Sequence, residues 1–166
     1  MAIRKGNIGD RQGLLELYRR VAARPGTLAR RAEELDEAWV RGVTEAAASR
    51  GVWLVDGEPG ALCASIHASR PVPKDFQHVL GELTLVVDPG SQGRGLGSSL
   101  FTGFLRHVER EEPGILRIEL ITRETNTRAR RIYEHLGFVE EGRLRRRVLH
   151  ADGSFEDDLY YAWHRP

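Results

Sequence analysis

The fold of this protein is decided by the stretch VDPGSQGRGLGSSL, residues 87–100. An apolar run, LTLVV, leads into this stretch, and four glycines lie within it. The segment LGSSLFTGFLRHVE, residues 96–109, then places apolar residues at helical spacing. A strand that passes through a glycine-rich loop into a helix is an arrangement that proteins use to hold phosphate. The sequence therefore raises the question of which phosphate compound this loop would bind.

Two common nucleotide motifs do not fit the loop. A P-loop, GxxxxGK[ST], needs a lysine directly after its second glycine, but Leu96 follows Gly95. The dinucleotide motif GxGxxG also fails, because Ser98 holds the place of its third glycine when Gly93 is taken as the first. What remains is Gln92–Gly97, a QxxGxG loop that opens a helix.

This QxxGxG loop can hold an anion through its backbone. Glycines lack Cβ atoms, so their N–H groups can approach an anion closely, and the helix N-terminus adds a favourable dipole. Arg94 can add a charged contact. These features suit the pyrophosphate of a compound such as coenzyme A, held without lysine or metal. Taken alone, they fit a tight turn between strand and helix equally well.

Length and composition predict one globular domain, residues 1–166, because 40% of the residues are hydrophobic and 30% are charged. The net charge of +1 gives no reason to expect nucleic acid or an anionic membrane as a partner. A single cysteine, Cys63, excludes an internal disulfide, and the six histidines lack metal-ligand spacing, so no metal is expected. The N-terminal segment has no apolar core of a signal peptide, and no apolar run reaches membrane-spanning length. We therefore expect a cytoplasmic protein.

Apolar periodicity and turn residues predict the element order β-α-α-β-β-β-α-β-α-β-β. Asp10 is expected to cap the first helix, and the second helix is expected over about 30–49. The best strand candidate is GELTLVV, residues 81–87, where alternation places Glu82 on the face opposite Leu83. This order predicts an α/β protein whose mixed sheet is covered on both faces.

Two segments together resemble the GNAT superfamily of N-acetyltransferases. GELTLVVDPGSQGRGLGSSLF, residues 81–101, resembles the family's acetyl-CoA-binding strand, loop and helix. TRETNTRARRIYEHLGFVEEG, residues 122–142, is similar to its second signature, NxxAxxxYxxxGF. The resemblance implies a GNAT fold, with a mixed central sheet of about seven strands flanked by about four helices. The second signature is read at Asn126, Ala129, Tyr133, Gly137 and Phe138.

The same resemblance implies transfer of an acetyl group from acetyl-CoA to a primary amine, by direct attack on the thioester. An amino acid or another small molecule is the expected acceptor. Acetylation of a protein N-terminus or lysine, and a non-catalytic acyl-CoA-binding module, are the alternatives, and a homodimer is left open. The cofactor-binding residues that it implies are Leu85, Val86, Val87, Gln92, Gly93, Arg94, Gly95, Leu96, Gly97, Ser98, Asn126 and Arg130.

Tyr133 and Glu82 are the catalytic candidates. Tyr133 lies seven residues after Asn126, so the two side chains share one helix face. A phenol with a pKa near 10 stays protonated at neutral pH and can donate a proton to the departing thiolate, although packing against Phe138 would also explain Tyr133. Glu82 is the candidate base, because burial beside the acetyl site would raise the pKa of its carboxyl. A solvated strand end would explain Glu82 equally well.

One position departs from the branch of the superfamily that acetylates ribosomal proteins. Members of that branch often carry a glutamate five residues before the helix asparagine, where Ile121 stands in this sequence. This departure favours a free small amine as acceptor. Glu119, one strand repeat earlier, is the reserve candidate for the base.

Two arginine-rich segments have a functional and a simpler interpretation. The segment 20–31 lies where the family shapes its acceptor pocket and could recognise a substrate carboxylate, but solvation also explains its charges. The run 143–147 could attract an acidic partner. It is instead expected to pair with Asp157 and Asp158 on the next strand.

Overall fold

A computed structural model of the chain describes residues 3–24, 26 and 28–166. Within these residues, seven strands form one mixed sheet and four α-helices are present. The predicted order of elements and the α/β class are confirmed. The strands are Ile3–Lys5 (β1), Gly51–Glu58 (β2), Ala61–Ser69 (β3), Val79–Val87 (β4), Arg117–Arg123 (β5), Val139–Leu149 (β6) and Phe155–His164 (β7). The helices are Arg11–Ala22 (α1), Glu37–Arg50 (α2), Leu96–Glu111 (α3) and Thr127–His135 (α4).

The sheet has the strand order β1-β2-β3-β4-β5-β7-β6. The chain divides into two compact units, and the first contains the described residues of Met1–Ser69 and Thr84–Glu111. In this unit β1, β2 and β3 pair antiparallel, and α1, α2 and α3 all contact the β2–β3 pair or one of its strands. The apolar side chains of α1 and α2 form a buried cluster with Trp53, Val55 and Val86. Hydrophobic burial on the sheet therefore fixes the strand that leads into the glycine loop.

The start of α1 differs from the prediction. Asp10 makes no side-chain capping bond to α1. Its carboxylate instead accepts hydrogen bonds from the Arg4 guanidinium, at 2.7 and 2.6 Å, and from the Asn7 N–H, at 2.9 Å. The predicted capping role of Asp10 is wrong, because a fully buried carboxylate gains more from an arginine partner than from a helix end.

The start of α2 also differs, because the helix begins at Glu37 and not near residue 30. Asp36 caps it by accepting a hydrogen bond from the Trp39 N–H at 2.7 Å. Before this cap, Ala32–Glu34 form a short 3-10 helix, and Leu35 is extended and buried. A strong capping residue therefore sets the boundary that apolar periodicity alone placed too early.

The second unit contains Arg70–Leu83 and Glu112–Pro166. Strand β5 pairs antiparallel with β7, which pairs antiparallel with β6, and β4 pairs parallel with β5 at Val79–Arg117 and Leu80–Ile118. The run 143–147 lies on β6. Arg143 binds Asp157 at 2.9 Å and Arg147 lies 3.5 Å from Asp158, so the predicted pairing of this run is confirmed.

The described residues contain neither a membrane-spanning helix nor a cluster of metal-ligating side chains. None of the helices in 3–24, 26 and 28–166 combines the length and hydropathy that crossing a membrane requires. Among the side chains of the same residues, no group of three or more His, Cys, Asp or Glu is placed to hold a metal ion.

Candidate functional site

The glycine loop joins β4 to α3 within the first unit. After Val87 the loop begins with Asp88 and a short 3-10 helix, Pro89–Ser91, and α3 then begins at Leu96 and runs for 16 residues. Gly93 and Gly95 have φ angles of +84° and +76°, in the left-handed region that favours glycine. A Cβ atom at either position would have no described heavy atom within 4 Å. Backbone conformation, and not crowding, therefore requires these two glycines.

Gly97 lies close to side chains of β4. A Cβ atom there would lie 3.3 Å from Val87 Cγ2 and 3.7 Å from Leu85 Cδ2. The first turn of α3 therefore packs closely on the end of β4. Val86 is only 2% exposed and belongs to the core cluster, whereas Leu85 and Val87 are partly buried. The alternation predicted for residues 85–87 is consistent with this pattern of burial.

The polar side chains of the loop lie at its surface. Gln92, Arg94 and Ser98 are exposed, and the Gln92 amide donates a hydrogen bond to the Val87 carbonyl at 3.3 Å. Leu96 is buried, so its side chain anchors the first turn of α3. The loop can thus offer an anion its backbone N–H donors and the long, positively charged side chain of Arg94.

The first residue of the loop, Asp88, is held from several sides. Its Oδ1 accepts the Gly90 N–H at 2.8 Å, its Oδ2 accepts Arg20 Nε at 2.6 Å, and its own N–H donates to the Cys63 carbonyl at 2.8 Å. Burial raises the pKa of Asp88, but the hydrogen bonds from Arg20 and Gly90 outweigh it and hold the pKa below its usual value. The Asp-Pro pair signals such a turn. The pairing of Arg20 with Asp88 was not predicted, because Arg20 lies on α1, distant along the chain.

In the second unit, α4 carries the second signature. The Asn126 side chain caps α4 by accepting the Ala129 N–H at 3.2 Å. The helix ends with Gly137 at a φ of +87°, and the Phe138 N–H returns to the Tyr133 carbonyl at 3.0 Å, which is a Schellman ending. The predicted cap at Asn126 and the predicted stop at Gly137 are both confirmed.

Tyr133 packs its ring between two others. The ring centroids of Phe138 and Tyr161 each lie 6.1 Å from that of Tyr133. Burial raises the pKa of Tyr133 to about 12, so its hydroxyl keeps its proton at neutral pH. The contacts that the packing interpretation predicted are therefore present. These contacts are compatible with a catalytic role, because the Tyr133 hydroxyl keeps the proton that a general acid must donate.

Arg130 lies one turn after Asn126 on α4. Its guanidinium donates hydrogen bonds to the Tyr161 hydroxyl and to the Glu124 carbonyl, both at 3.2 Å, and lies 3.8 Å from Glu140. These contacts hold the side chain along the helix and the neighbouring strands.

Glu82 does not have the buried position that was expected. Its side chain is exposed and its φ angle is +51°, a left-handed conformation that few non-glycine residues adopt. The alternation predicted for β4 assumed an uninterrupted strand, but this residue breaks the two-residue repeat. The exposure of Glu82 therefore agrees with the solvated interpretation and not with the buried one, although Glu82 lies within β4 and not at its end.

Glu119, the reserve candidate, lies in a polar network on β5, β6 and β7. Its Oε1 accepts Arg117 Nε and its Oε2 accepts the Tyr160 hydroxyl, both at 2.6 Å. Arg117 also binds Glu141 and approaches His164 Nε2 at 2.7 Å. Burial, and next its hydrogen bond to Glu119, raise the pKa of Tyr160 to about 12. Each oxygen of Glu119 is thus engaged by a strong donor.

Glu119 also lies close to the β4 irregularity. A Cβ atom at Gly81, the residue before Glu82, would be 3.9 Å from Glu119 Oε2. Tyr160 lies opposite Ile121 in the register of β5 and β7. Tyr160 was not predicted as a site residue, because only the pairing of β5 with β7 brings it next to Glu119.

The chain is similar in sequence to proteins of one known family. The family model described as acetyltransferase (GNAT) family matches residues 13–138. The chain belongs to this family. Mycothiol acetyltransferase of Beutenbergia cavernae is 43% identical over 90 residues, which are 53% of this chain and 28% of that protein. The chain spans less than a third of the length of the curated relatives that it matches.

Solved structures of GNAT proteins share the fold. Ribosomal-protein-alanine N-acetyltransferase from Brucella melitensis superposes with a TM-score of 0.83 at 20% identity, over 99% of this chain and 100% of that one. The yncA protein of Salmonella typhimurium, solved with its cofactor acetyl-CoA, gives a TM-score of 0.81 at 18% identity, over 99% and 93%. The expected GNAT fold is therefore confirmed.

In this GNAT chain the predicted site residues fall into two groups. Leu85–Val87 and the residues 92–98 lie together in the first unit, around the β4–α3 connection. Glu82, Asn126, Arg130 and Tyr133 lie in the second unit, the last three on or at the start of α4.

Proposed function

We propose that this GNAT chain transfers the acetyl group of acetyl-CoA to the primary amine of an amino acid or another small molecule. GNAT acetyltransferases use acetyl-CoA, which identifies the donor. The observation that carries the proposal is the loop itself, in which left-handed Gly93 and Gly95 lead into the N-terminus of α3.

The loop residues fit the pyrophosphate of coenzyme A. The open space at Gly93 and Gly95 lets an anion approach the backbone, and the first N–H groups of α3 have no partner within their own helix. Arg94, which is exposed, would add a charge contact. The backbone of Leu85–Val87 would hold the pantetheine arm, and Asn126 and Arg130 would contact the cofactor from α4.

Acetyl-CoA, when bound, supplies a thioester carbonyl that an unprotonated amine attacks. A backbone N–H within 85–87 would polarise the carbonyl oxygen. Tyr133 would donate its proton to the departing sulfur, since its raised pKa keeps it protonated at neutral pH. Its ring contacts with Phe138 and Tyr161 would fix the direction of the hydroxyl.

Glu82 is the base that the geometry favours. Both carboxylate oxygens of Glu119 already accept hydrogen bonds at 2.6 Å, from Arg117 and from the Tyr160 hydroxyl, which leaves them less accessible to an incoming amine. Glu82 is exposed to solvent and lies at a backbone irregularity of the kind that clusters at functional sites. It would take the proton of the amine directly or through one water.

Two observations support a small acceptor over a protein. A curated relative at 43% identity is named for mycothiol and not for a protein substrate. Ile121 also occupies the position where the ribosomal-protein branch often has a glutamate.

The test is acetyl-CoA-dependent thiol release by the purified chain with separate panels of amino acids, polyamines, amines related to mycothiol, and short peptides. Release with one or more small amines, and an acetylated product in the mass spectrum, is the expected result. Release with peptides alone would assign the protein N-terminal alternative. Tight binding of acetyl-CoA without thiol release in any panel would favour the non-catalytic acyl-CoA-binding module.

A further inference from the structure

Arg20, near the end of α1, joins three parts of the first unit. Its Nε donates to Asp88 Oδ2 at 2.6 Å, and its Nη2 donates to the Leu62 carbonyl of β3 at 3.0 Å. The other oxygen of Asp88 accepts the Gly90 N–H at 2.8 Å. One guanidinium therefore holds the first residue of the glycine loop against both α1 and β3.

This contact also pairs a positive charge with a negative one at the start of the β4–α3 connection. Asp88 is ionised at neutral pH, since the hydrogen bonds that it accepts keep its pKa low despite burial. A carboxylate at the start of a pyrophosphate-binding loop opposes the ligand by like-charge repulsion. Arg20 offsets that charge from the side of α1.

We propose that Arg20 is a positioning residue for acetyl-CoA: it fixes Asp88 at the start of the loop and offsets its charge. This inference rests on the function proposed for the loop. Arg20 contacts none of the loop residues assigned to the pyrophosphate, so it acts on affinity and not on the chemical step. Its loss should raise the KM for acetyl-CoA and leave kcat within about twofold.

The neighbouring Arg19 provides a matched control. It also lies in the last turn of α1, and it donates through Nε and Nη2 to the Leu35 carbonyl, at 3.3 and 3.0 Å. Arg19→Gln therefore removes the same charge and two hydrogen bonds from the same helix end without touching the loop.

The experiment is titration of coenzyme A into the purified chain by calorimetry, at low and high salt. Arg20→Gln should weaken binding about tenfold at low salt, and less at high salt because the charge effect is screened. The Kd of Arg19→Gln should stay within about twofold of the wild-type value. Arg20→Lys keeps the charge but loses the two-pronged guanidinium donor, so its Kd should lie between those of wild type and Arg20→Gln. Arg20→Gln/Asp88→Asn should recover to within about threefold, because asparagine keeps an oxygen for Gly90 without the charge.

The outcomes distinguish failure of the role of Arg20 from failure of the proposed acetyl-CoA binding. Unchanged binding in Arg20→Gln, an equal loss in Arg19→Gln, or a loss that Asp88→Asn does not recover would each overturn the role of Arg20 alone. Failure of the wild-type chain to bind coenzyme A would overturn the proposed function as well. Should Arg20→Gln unfold in a thermal melt, Arg20→Lys and its double variant with Asp88→Asn decide the question by the same comparison.

Discussion

The glycine loop of the first unit and the side-chain network of the second hold their candidate groups by different means. The loop depends on backbone angles at Gly93 and Gly95 and presents main-chain donors. The network around Glu119 depends on side chains from β5, β6 and β7 that contact each other. The loop should therefore respond to changes of backbone conformation, whereas the network should respond to loss of single side-chain groups.

The largest expected effect is that of removing the Tyr133 hydroxyl. Tyr133→Phe should lower kcat about a hundredfold or more, because the departing thiolate loses its proton donor. The phenylalanine ring keeps both aromatic contacts, so the melting temperature and the Kd for coenzyme A should change little. Steady-state kinetics and calorimetry check this.

Tyr161→Phe is the control, since it removes a hydroxyl from the same ring cluster and should leave kcat within about twofold. Equal losses of turnover, stability and binding in Tyr133→Phe would reduce Tyr133 to a packing residue.

The next largest effect is the difference in activity between variants of Glu82 and Glu119. Glu82→Gln should lower kcat/KM about tenfold to a hundredfold near pH 7, and the deficit should shrink at alkaline pH, where the amine is already deprotonated. Glu119→Gln should cost less than about fivefold at all pH values, because its role in the network is to orient neighbours. Paired pH–rate profiles measure both, and the reverse order would make Glu119 the base.

A smaller effect is expected from strain in the loop. Gly95→Ala should destabilise the fold by about 1 kcal/mol, because an L-residue is disfavoured at a φ of +76°. It should also weaken coenzyme A binding about tenfold. A Cβ at Gly42 in α2 likewise meets no described heavy atom within 4 Å apart from its own helix backbone, but without a positive φ. Gly42→Ala should instead stabilise by roughly 0.5–1 kcal/mol. Chemical denaturation compares the two, and an equal response would show that φ is irrelevant there.

The smallest expected effect is the pH dependence of the Asp88 contact. The folded pKa of Asp88 is lowered, so its contribution to stability is present above the unfolded pKa and is lost as pH falls through the folded value. The free energy of unfolding of wild type should exceed that of Asp88→Asn by less than about 1 kcal/mol near neutral pH. The gap should close below about pH 4. A gap that widens on acidification would contradict the sign.

Features that depend on neighbours in sequence were predictable. The glycine loop, the Asn126 cap and the Gly137 stop each arise from a few adjacent residues, and the structure shows the loop conformation and both helix ends. The order of strands and helices followed from periodicity, because burial imposes a period of two or 3.6 residues on each element.

Features that depend on distant partners were not predictable. Asp10 binds Arg4 and does not make the expected capping hydrogen bond. Tyr160 lies next to Glu119 only because β5 pairs with β7. Arg20 reaches Asp88 from another helix. The position of Glu82 was not predictable for a further reason, since nothing in the sequence of β4 indicates its positive φ angle.

The most direct test of the central claim is the fate of the acetyl group. The purified chain would be incubated with acetyl-CoA carrying an isotopic label in its acetyl group, together with the small-amine panel. Mass spectrometry would then read both products. The account predicts a labelled N-acetyl amine with an equal amount of free coenzyme A, both strongly reduced in Tyr133→Phe. Label that stays on coenzyme A with every amine, while the wild-type chain binds acetyl-CoA tightly, would contradict it.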